Sequence, residues 1–312
     1  ALIVVLAFRS DHAGLQMVES LGFYRLGIDG VSVLFLPLTA TLTLLCIIAS
    51  GPLNWSKDDQ EEPDRESRYY AALLALSAGL MGAFCAADFR LFWLFLTIEA
   101  VPAWYLIHHF GKNDHSSGVA RDYVMTMMMA AGLSLIGLEL LAGHIGGSQL
   151  ELIAEAAIPP SSQTVIFVLL ALAFAIRAPL FPLHGWLPRA IEHGPVMGLG
   201  VFLVGLEVGT YGFLRFVIAP MPEAAASYGW LLILLGGIGA IYGGVMALVQ
   251  TDLRRLLAFA SIAHMGVIVI GLFSLNVHGV EGGLLQHDLR HPHPVCRARQ
   301  GGGRHLPVPG VG

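Results

Sequence analysis

The sequence predicts an all-α protein, a polytopic bundle of transmembrane helices, and three observations predict it. The 312-residue chain is 55% hydrophobic and only 12% charged, with a mean hydropathy of +0.70, where a soluble chain carries roughly a quarter charged residues. Apolar stretches long enough to cross about 30 Å of hydrocarbon recur along it. The charges gather between those stretches. The net charge of −5 is small and comes mostly from loops, so the expected surroundings are a lipid bilayer and no nucleic acid. Cys46, Cys85 and Cys296 show neither metal nor redox spacing, and the first two sit in apolar runs where they read as small hydrophobes.

In order, the chain opens on ALIVVLAF, with neither a methionine nor a signal-peptide n-region. This reads as the tail of a truncated membrane helix, with the chain expected to be a fragment. Residues 1–27 are then the end of that helix plus an external loop. Ile28–Ser50 and Tyr69–Ala87 are the first full spans, joined by the charged connector GPLNWSKDDQEEPDRESR. Phe89–Phe110 is the next, with Glu99 near its middle and Pro102 just after. Tyr123–Gly143 follows, and its methionines Met127–Met129 are expected to pack rather than hold a cofactor.

The stretch Leu172–Pro195, LAFAIRAPLFPLHGWLPRAIEHGP, combines three features that a lipid-buried helix avoids. Arg177 is a permanent cation inside an apolar run. Pro179 and Pro182 each remove a backbone donor and clash with the preceding turn. His184, Trp186 and Pro188 then precede the return of charge at Arg189 and Glu192. Broken helices are tolerated in a bilayer only where protein or a watery cavity covers the freed backbone groups, and intramembrane charges mark ion pathways. A charge at a break is therefore the sharpest functional signal in the chain. Its plainer alternative is a kinked helix whose Arg177 snorkels to an interface.

Pro195 begins a glycine-lined span with Glu207 mid-helix. Trp230–Val249 and Leu256–Leu275 follow, the latter with His264 at its centre. Lys57, Arg65, Arg68, Lys112, Arg121, Arg189, Arg254 and Arg255 fall on connectors of one side, which the positive-inside rule makes cytoplasmic. Gly283–Gln286 reads as the start of a ninth span. His287–Gly312 then turns rich in His, Arg, Pro and Gly, and is expected to be frameshifted or disordered; its histidines have no metal-site spacing.

The blocks FAIRAPLFPLHGWLPRAIEHGP, GLEVGTYGFLRF and QTDLRRLLAFASIAHMG, with LGIDGVSVLFLPLTATLTLLCIIAS upstream, resemble the antiporter-like subunit M of proton-translocating NADH–quinone oxidoreductase, respiratory complex I (chain 4 of the mitochondrial enzyme). The resemblance runs from about Tyr24 to Gln286. It implies an antiporter-like bundle of inverted five-helix repeats, each with a broken helix. Residues 28–87 would be two peripheral helices, and 88–218 the first repeat with its break at 163–192. Residues 226–286 would begin the second repeat, and 287–312 would be the aberrant tail. The family's lysine in the broken helix falls at Arg177, its second buried lysine at Glu207, and its buried glutamate at Thr97. Glu99 lies two residues on, roughly 200° around the helix, and needs a bulge or a rotation to point the same way. His264 matches the family's histidine.

In the family a buried lysine exchanges protons while a nearby glutamate tunes it. A guanidinium does not deprotonate in proteins, so Arg177 is expected to be a fixed counter-ion, paired with Glu207 or Glu99. The proton relay is then expected on Glu207, Glu99 and His264, with Pro179, Pro182 and His184 forming the helix break. A static pair that only fixes packing is the plainer alternative. No redox motif is present, so the resemblance places NADH, FMN, iron–sulfur clusters and quinone on other subunits. It also implies other membrane subunits as partners, neighbouring antiporter-like ones among them, in a bacterial inner (plasma) membrane. The rivals are a subunit of a multi-subunit sodium/proton antiporter or membrane-bound hydrogenase, and a structural subunit that has lost pumping.

Overall fold

The computed structural model describes residues 8, 15–21, 24–50, 64–111, 115–155, 158–195, 199–275 and 279. The expected ninth span at Gly283–Gln286, the tail His287–Gly312, Cys296, Lys57, Lys112 and most of the N-terminal stub lie outside the described residues. The helices are α1 (Ser32–Ser50), α2 (Arg65–Cys85), α3 (Phe89–Ile98), α4 (Ala100–Phe110), α5 (Ser116–Ile145), α6 (Pro160–Arg177), α7 (Trp186–His193), α8 (Leu199–Gly212), α9 (Pro222–Leu248) and α10 (Leu253–Phe273). A 3-10 turn at Leu150–Glu155 precedes α6, and a π segment, Phe213–Ile218, extends α8. Among the described residues eight spans, counting α3–α4 as one, are long and apolar enough to cross a membrane.

The hydropathy signal located the spans, and local chemistry set their ends. Asp252 caps α10, its Oδ1 accepting the backbone N–H of Arg254 at 2.7 Å, so this helix starts three residues before the expected Leu256. Pro222, in the first turn of α9, suits a helix start because its missing N–H would be unpaired there anyway. That helix therefore begins well before Trp230. In α5 the polar run SSGVARD continues the helix, which closes at Gly146 in the left-handed conformation, φ 82°.

The expected loop before the first span instead contains a β-hairpin, β1 (Gln16–Leu21) antiparallel to β2 (Tyr24–Ile28). The alternating YRLGI of β2 is a strand pattern that is easily lost beside a long apolar helix. The hairpin fastens one end of the bundle. The Ala87 N–H donates to the Arg25 carbonyl at 3.1 Å, and Phe89 N–H to the Ser148 carbonyl at 2.7 Å. Asp88 caps α3 and accepts the Ser148 hydroxyl at 2.6 Å. Arg215, in the π segment, pairs with Asp29 beside the start of α1 and lies over the Tyr211 ring.

The opposite end carries charged connectors. Arg189 reaches Asp122 at 3.0 Å, and Arg254 donates to the carbonyls of Glu192 and Gly194 at 2.9 and 3.1 Å. Between the ends, an aromatic core of Phe84, Phe92, Phe174, Tyr211 and Phe216 joins α2, α3, α6, α8 and the π segment. The outer faces are apolar as well, as lipid contact demands: Ile241 and Val245 of α9 and Met129 of α5 are exposed. Met127 alone of the Met127–Met129 run is buried.

Candidate functional site

The site begins where α6 stops. Pro179 has no N–H to offer and its ring crowds the carbonyl of Ala175. The Ala175 carbonyl is instead taken by the Leu180 N–H at 2.9 Å. That leaves the Ile176 carbonyl free, and the indole N–H of Trp186 donates to it across the break at 2.9 Å. Pro182 continues the irregular stretch, and the His184 ring stacks on Phe181 and meets Tyr242 of α9. Pro179, Pro182 and His184 thus all lie in the non-helical chain between Arg177 and Trp186, and Trp186 covers part of the backbone freed there.

Arg177 is the last residue of α6, and its side chain is 3% exposed. It does not snorkel. Its Nη2 donates to the Glu99 carboxylate in an ion pair whose acidic member is equally buried. Its Nη1 lies 3.5 Å from the Leu96 carbonyl and 3.6 Å from the Met127 sulfur. Among the described residues, Arg177 Nε and Glu99 Oε2 have no hydrogen-bond partner.

Glu99 sits at a local irregularity of its span. Pro102 removes the donor for the Ile98 carbonyl four residues earlier, α3 ends at Ile98, and α4 restarts at Ala100 with Glu99 between them. Glu99 itself keeps helical dihedrals, φ −62° and ψ −25°, and its carbonyl accepts the Ala103 N–H at 3.4 Å, so the span stays helical here and Arg177 is met by the Glu99 face and not by that of Thr97. Thr97 turns back on its own helix, donating to the Trp93 carbonyl at 2.8 Å. Gly79 of α2 makes the room: a Cβ there would stand 2.9 Å from the Glu99 Cβ. Gly79 was not singled out by sequence reasoning, and Met127 was expected only to pack. Neither carries a signal beyond being a small or an apolar residue at helical spacing.

The four proposed pathway residues do not converge. Glu207 is half-buried on α8 and bonds on its own helix, its Oε2 3.0 Å from the Thr210 hydroxyl, which also donates to the Glu207 carbonyl at 2.8 Å. The choice of partner for Arg177 therefore falls to Glu99 and not to Glu207. The reason is the packing of α8 on the break. Its contact face there is Gly209, where a Cβ would stand 2.7 Å from the Ala178 nitrogen, and Glu207 is two residues or roughly 200° away from that face. His264 is exposed on α10 and is an electrostatic neighbour of Glu207, so it is not a core histidine. Arg90 and Glu139 pair at 2.7 Å on the exposed surface. The described residues hold no group of three or more His, Cys, Asp or Glu that could bind a metal.

Fold and site together define an integral membrane bundle organised around a helix broken beside a buried ion pair. Residues 86–291, more than half of the chain, match the family model described as NADH:quinone oxidoreductase/Mrp antiporter, TM. The chain belongs to this family. It is 31% identical over 296 residues to NADH-ubiquinone oxidoreductase chain 4 of Arabidopsis thaliana, covering 91% of this chain and 58% of that protein. It is 30% identical to NADH-quinone oxidoreductase subunit M of Rhodobacter capsulatus, covering 92% and 58%. A chain of respiratory complex I from Thermus thermophilus superposes with a TM-score of 0.75 at 28% identity, covering 91% of this chain and 59% of that one. The Mrp complex of Dietzia sp. shares the fold, with a TM-score of 0.75 at 22% identity and coverage of 91% and 53%. The chain thus spans under three-fifths of the relatives it matches.

Proposed function

We propose that this chain is, or is part of, a proton-translocating membrane subunit of a complex I-type NADH–quinone oxidoreductase. The observation that carries the proposal is the Arg177–Glu99 ion pair buried at a helix break in a chain of this family. A buried pair is weak evidence for stability alone, since desolvation offsets much of the attraction. Within this reading Arg177 is a fixed counter-charge that holds Glu99, because a guanidinium keeps its proton. Glu207, free of that pairing and near His264, is the carboxyl able to load and release a proton. Redox chemistry, with NADH, FMN, iron–sulfur clusters and quinone, belongs to partner subunits in a bacterial inner membrane, with the charged-connector end cytoplasmic. Neighbouring antiporter-like subunits would be among those partners.

The test is the parent complex carrying Glu207→Gln, reconstituted in sealed vesicles. The expected result is a lower proton-to-electron stoichiometry with quinone reduction retained. An unchanged stoichiometry would sink the relay and favour a structural subunit. The shared fold with an Mrp complex keeps one second reading in play, a sodium/proton antiporter subunit. Neighbouring genes for small antiporter subunits, rather than redox subunits, would select it.

A further inference from the structure

We infer that Trp186 is the positioning residue for Arg177, its indole N–H holding the peptide group from which the arginine springs. The Ile176 carbonyl and the Arg177 N–H are the two ends of one planar peptide group. The N–H end faces back into α6, whose last residue is Arg177. The carbonyl end has lost its helical donor, because the Leu180 N–H turns to the Ala175 carbonyl at 2.9 Å. Trp186 supplies the replacement from beyond the break, its Nε1 standing 2.9 Å from the Ile176 oxygen. Helix ends fray when their last groups are left unpaired, and a bare carbonyl within a membrane is costly.

The donor is itself held still. Trp186 is 6% exposed, and its ring centroid lies 5.7 Å from that of Tyr123 on α5 and 6.2 Å from that of Phe202 on α8. Those two rings also meet each other, at 5.4 Å. Met127 is one turn on from Tyr123 along the same buried face of α5, and its sulfur lies 3.6 Å from Arg177 Nη1. Helix α5 therefore serves both ends of the arginine: it seats the ring that pins the backbone, and it touches the guanidinium. An indole suits this task, being a donor with no acceptor of its own and a flat body that aromatic neighbours can grip. A ring of carbon alone would fill the space between Tyr123 and Phe202 but leave the Ile176 carbonyl bare. As a part of proton translocation, by keeping the counter-charge on Glu99, this role rests on the proposed function. As the positioning of Arg177 it stands apart from it.

The test is a pair of double-mutant cycles on the intact membrane complex, read as thermal stability. Trp186→Phe removes the N–H and keeps an aromatic ring. Trp186→His sheds the larger ring but keeps a donor, since the imidazole Nε2 overlies the indole Nε1. Each is made in the native complex and in one carrying Glu99→Leu/Arg177→Met, which has no arginine to position. The expected result is that Trp186→Phe loses more stability in the native complex than in the pair-less one, whereas Trp186→His loses the same in both. An equal Trp186→Phe loss in the two backgrounds would overturn the inference. So would an equal background dependence for Trp186→His, because ring packing and not the N–H would then be what reaches Arg177. Should native Trp186→Phe fail to assemble, recovery of assembly in the pair-less background supports the role, and failure in both refutes it. In the assembled complexes a lower proton-to-electron stoichiometry is expected with Trp186→Phe and not with Trp186→His. Unchanged stoichiometry beside the expected stability coupling would uphold the positioning of Arg177 and count against the translocation reading instead.

Discussion

The two halves of the charged machinery solve the same problem differently. Arg177 and Glu99 meet across helices, both almost wholly buried, each answering the other's charge. Glu207 sits one helix over, half-buried, bonded within its own helix, with the exposed His264 as its electrostatic neighbour. The first arrangement holds its charges in place by mutual need. The second leaves a carboxyl whose interactions are local and weak enough to change. The chain thus holds one acidic residue in an interhelical ion pair and another bonded within its own helix, and sequence alone does not say which is which.

Removing one member of each arrangement should expose that difference most strongly. Glu99→Ala leaves a buried guanidinium without its counter-charge, a loss of about 3–5 kcal/mol. It is expected to appear as a large drop in the thermal stability of the purified complex. The double variant Glu99→Leu/Arg177→Met should recover most of that loss, since replacing a whole buried pair by apolar residues is often neutral. If Glu99→Ala proves no worse than Glu207→Ala, the contrast between anchor and mobile group collapses.

Next in size is the contact that seats Glu99. Gly79→Val places branched carbon where even a Cβ stands 2.9 Å from the Glu99 Cβ, and overpacking of this kind costs about 1–3 kcal/mol. The expected outcome is reduced thermal stability that persists in the Glu99→Ala background, because alanine keeps the Cβ that Gly79 faces, and is partly relieved by Glu99→Gly, a coupling read from a double-mutant cycle. Simple additivity would mean that Gly79 packs α2 without serving the ion pair.

These residues show how much was legible beforehand. The spans were readable because hydropathy over some twenty residues is a strong signal, and the break because Pro179 and Pro182 have few other uses inside a span. The partner of Arg177 was not readable. A helical wheel turns Glu99 away from the face of Thr97, and it is the Glu99 face that packing sets against Arg177. The hairpin at Gln16–Ile28 was read as loop because its strands are short. Glu207 looked equally able to meet Arg177 until the α8 face toward the break proved to be Gly209. In each case a one-dimensional pattern gave the residue, and three-dimensional packing chose its neighbour.

Glu207 itself should be cheap to alter. Glu207→Ala removes one local hydrogen bond, on the order of 1 kcal/mol, so the complex should assemble and reduce quinone normally. A stability loss matching that of Glu99→Ala would mean that Glu207 is also an anchor. That outcome would turn the search for a mobile proton toward His264.

The smallest effect concerns a tie between the two regions. Helix α7 follows the break, and its last carbonyls, Glu192 and Gly194, accept hydrogen bonds from Arg254 at the start of α10, the helix that carries His264. Free carbonyls at a helix end are normally left to solvent or a cap, and a cation there is worth about 0.3–1 kcal/mol. The neighbouring Arg255–Glu192 pair, at 3.4 Å and partly exposed, should contribute less still and fade with salt. Arg254→Gln is therefore expected to lower stability only slightly, while Arg255→Gln should be nearly silent at high ionic strength. If α7 couples the anchor to α10, Arg254→Gln should also shift the pH profile of proton translocation, because the Arg177 side of the break would no longer be held against the helix bearing His264. A variant with the small stability loss but an unmoved pH profile would show that Arg254 caps a helix and does nothing more.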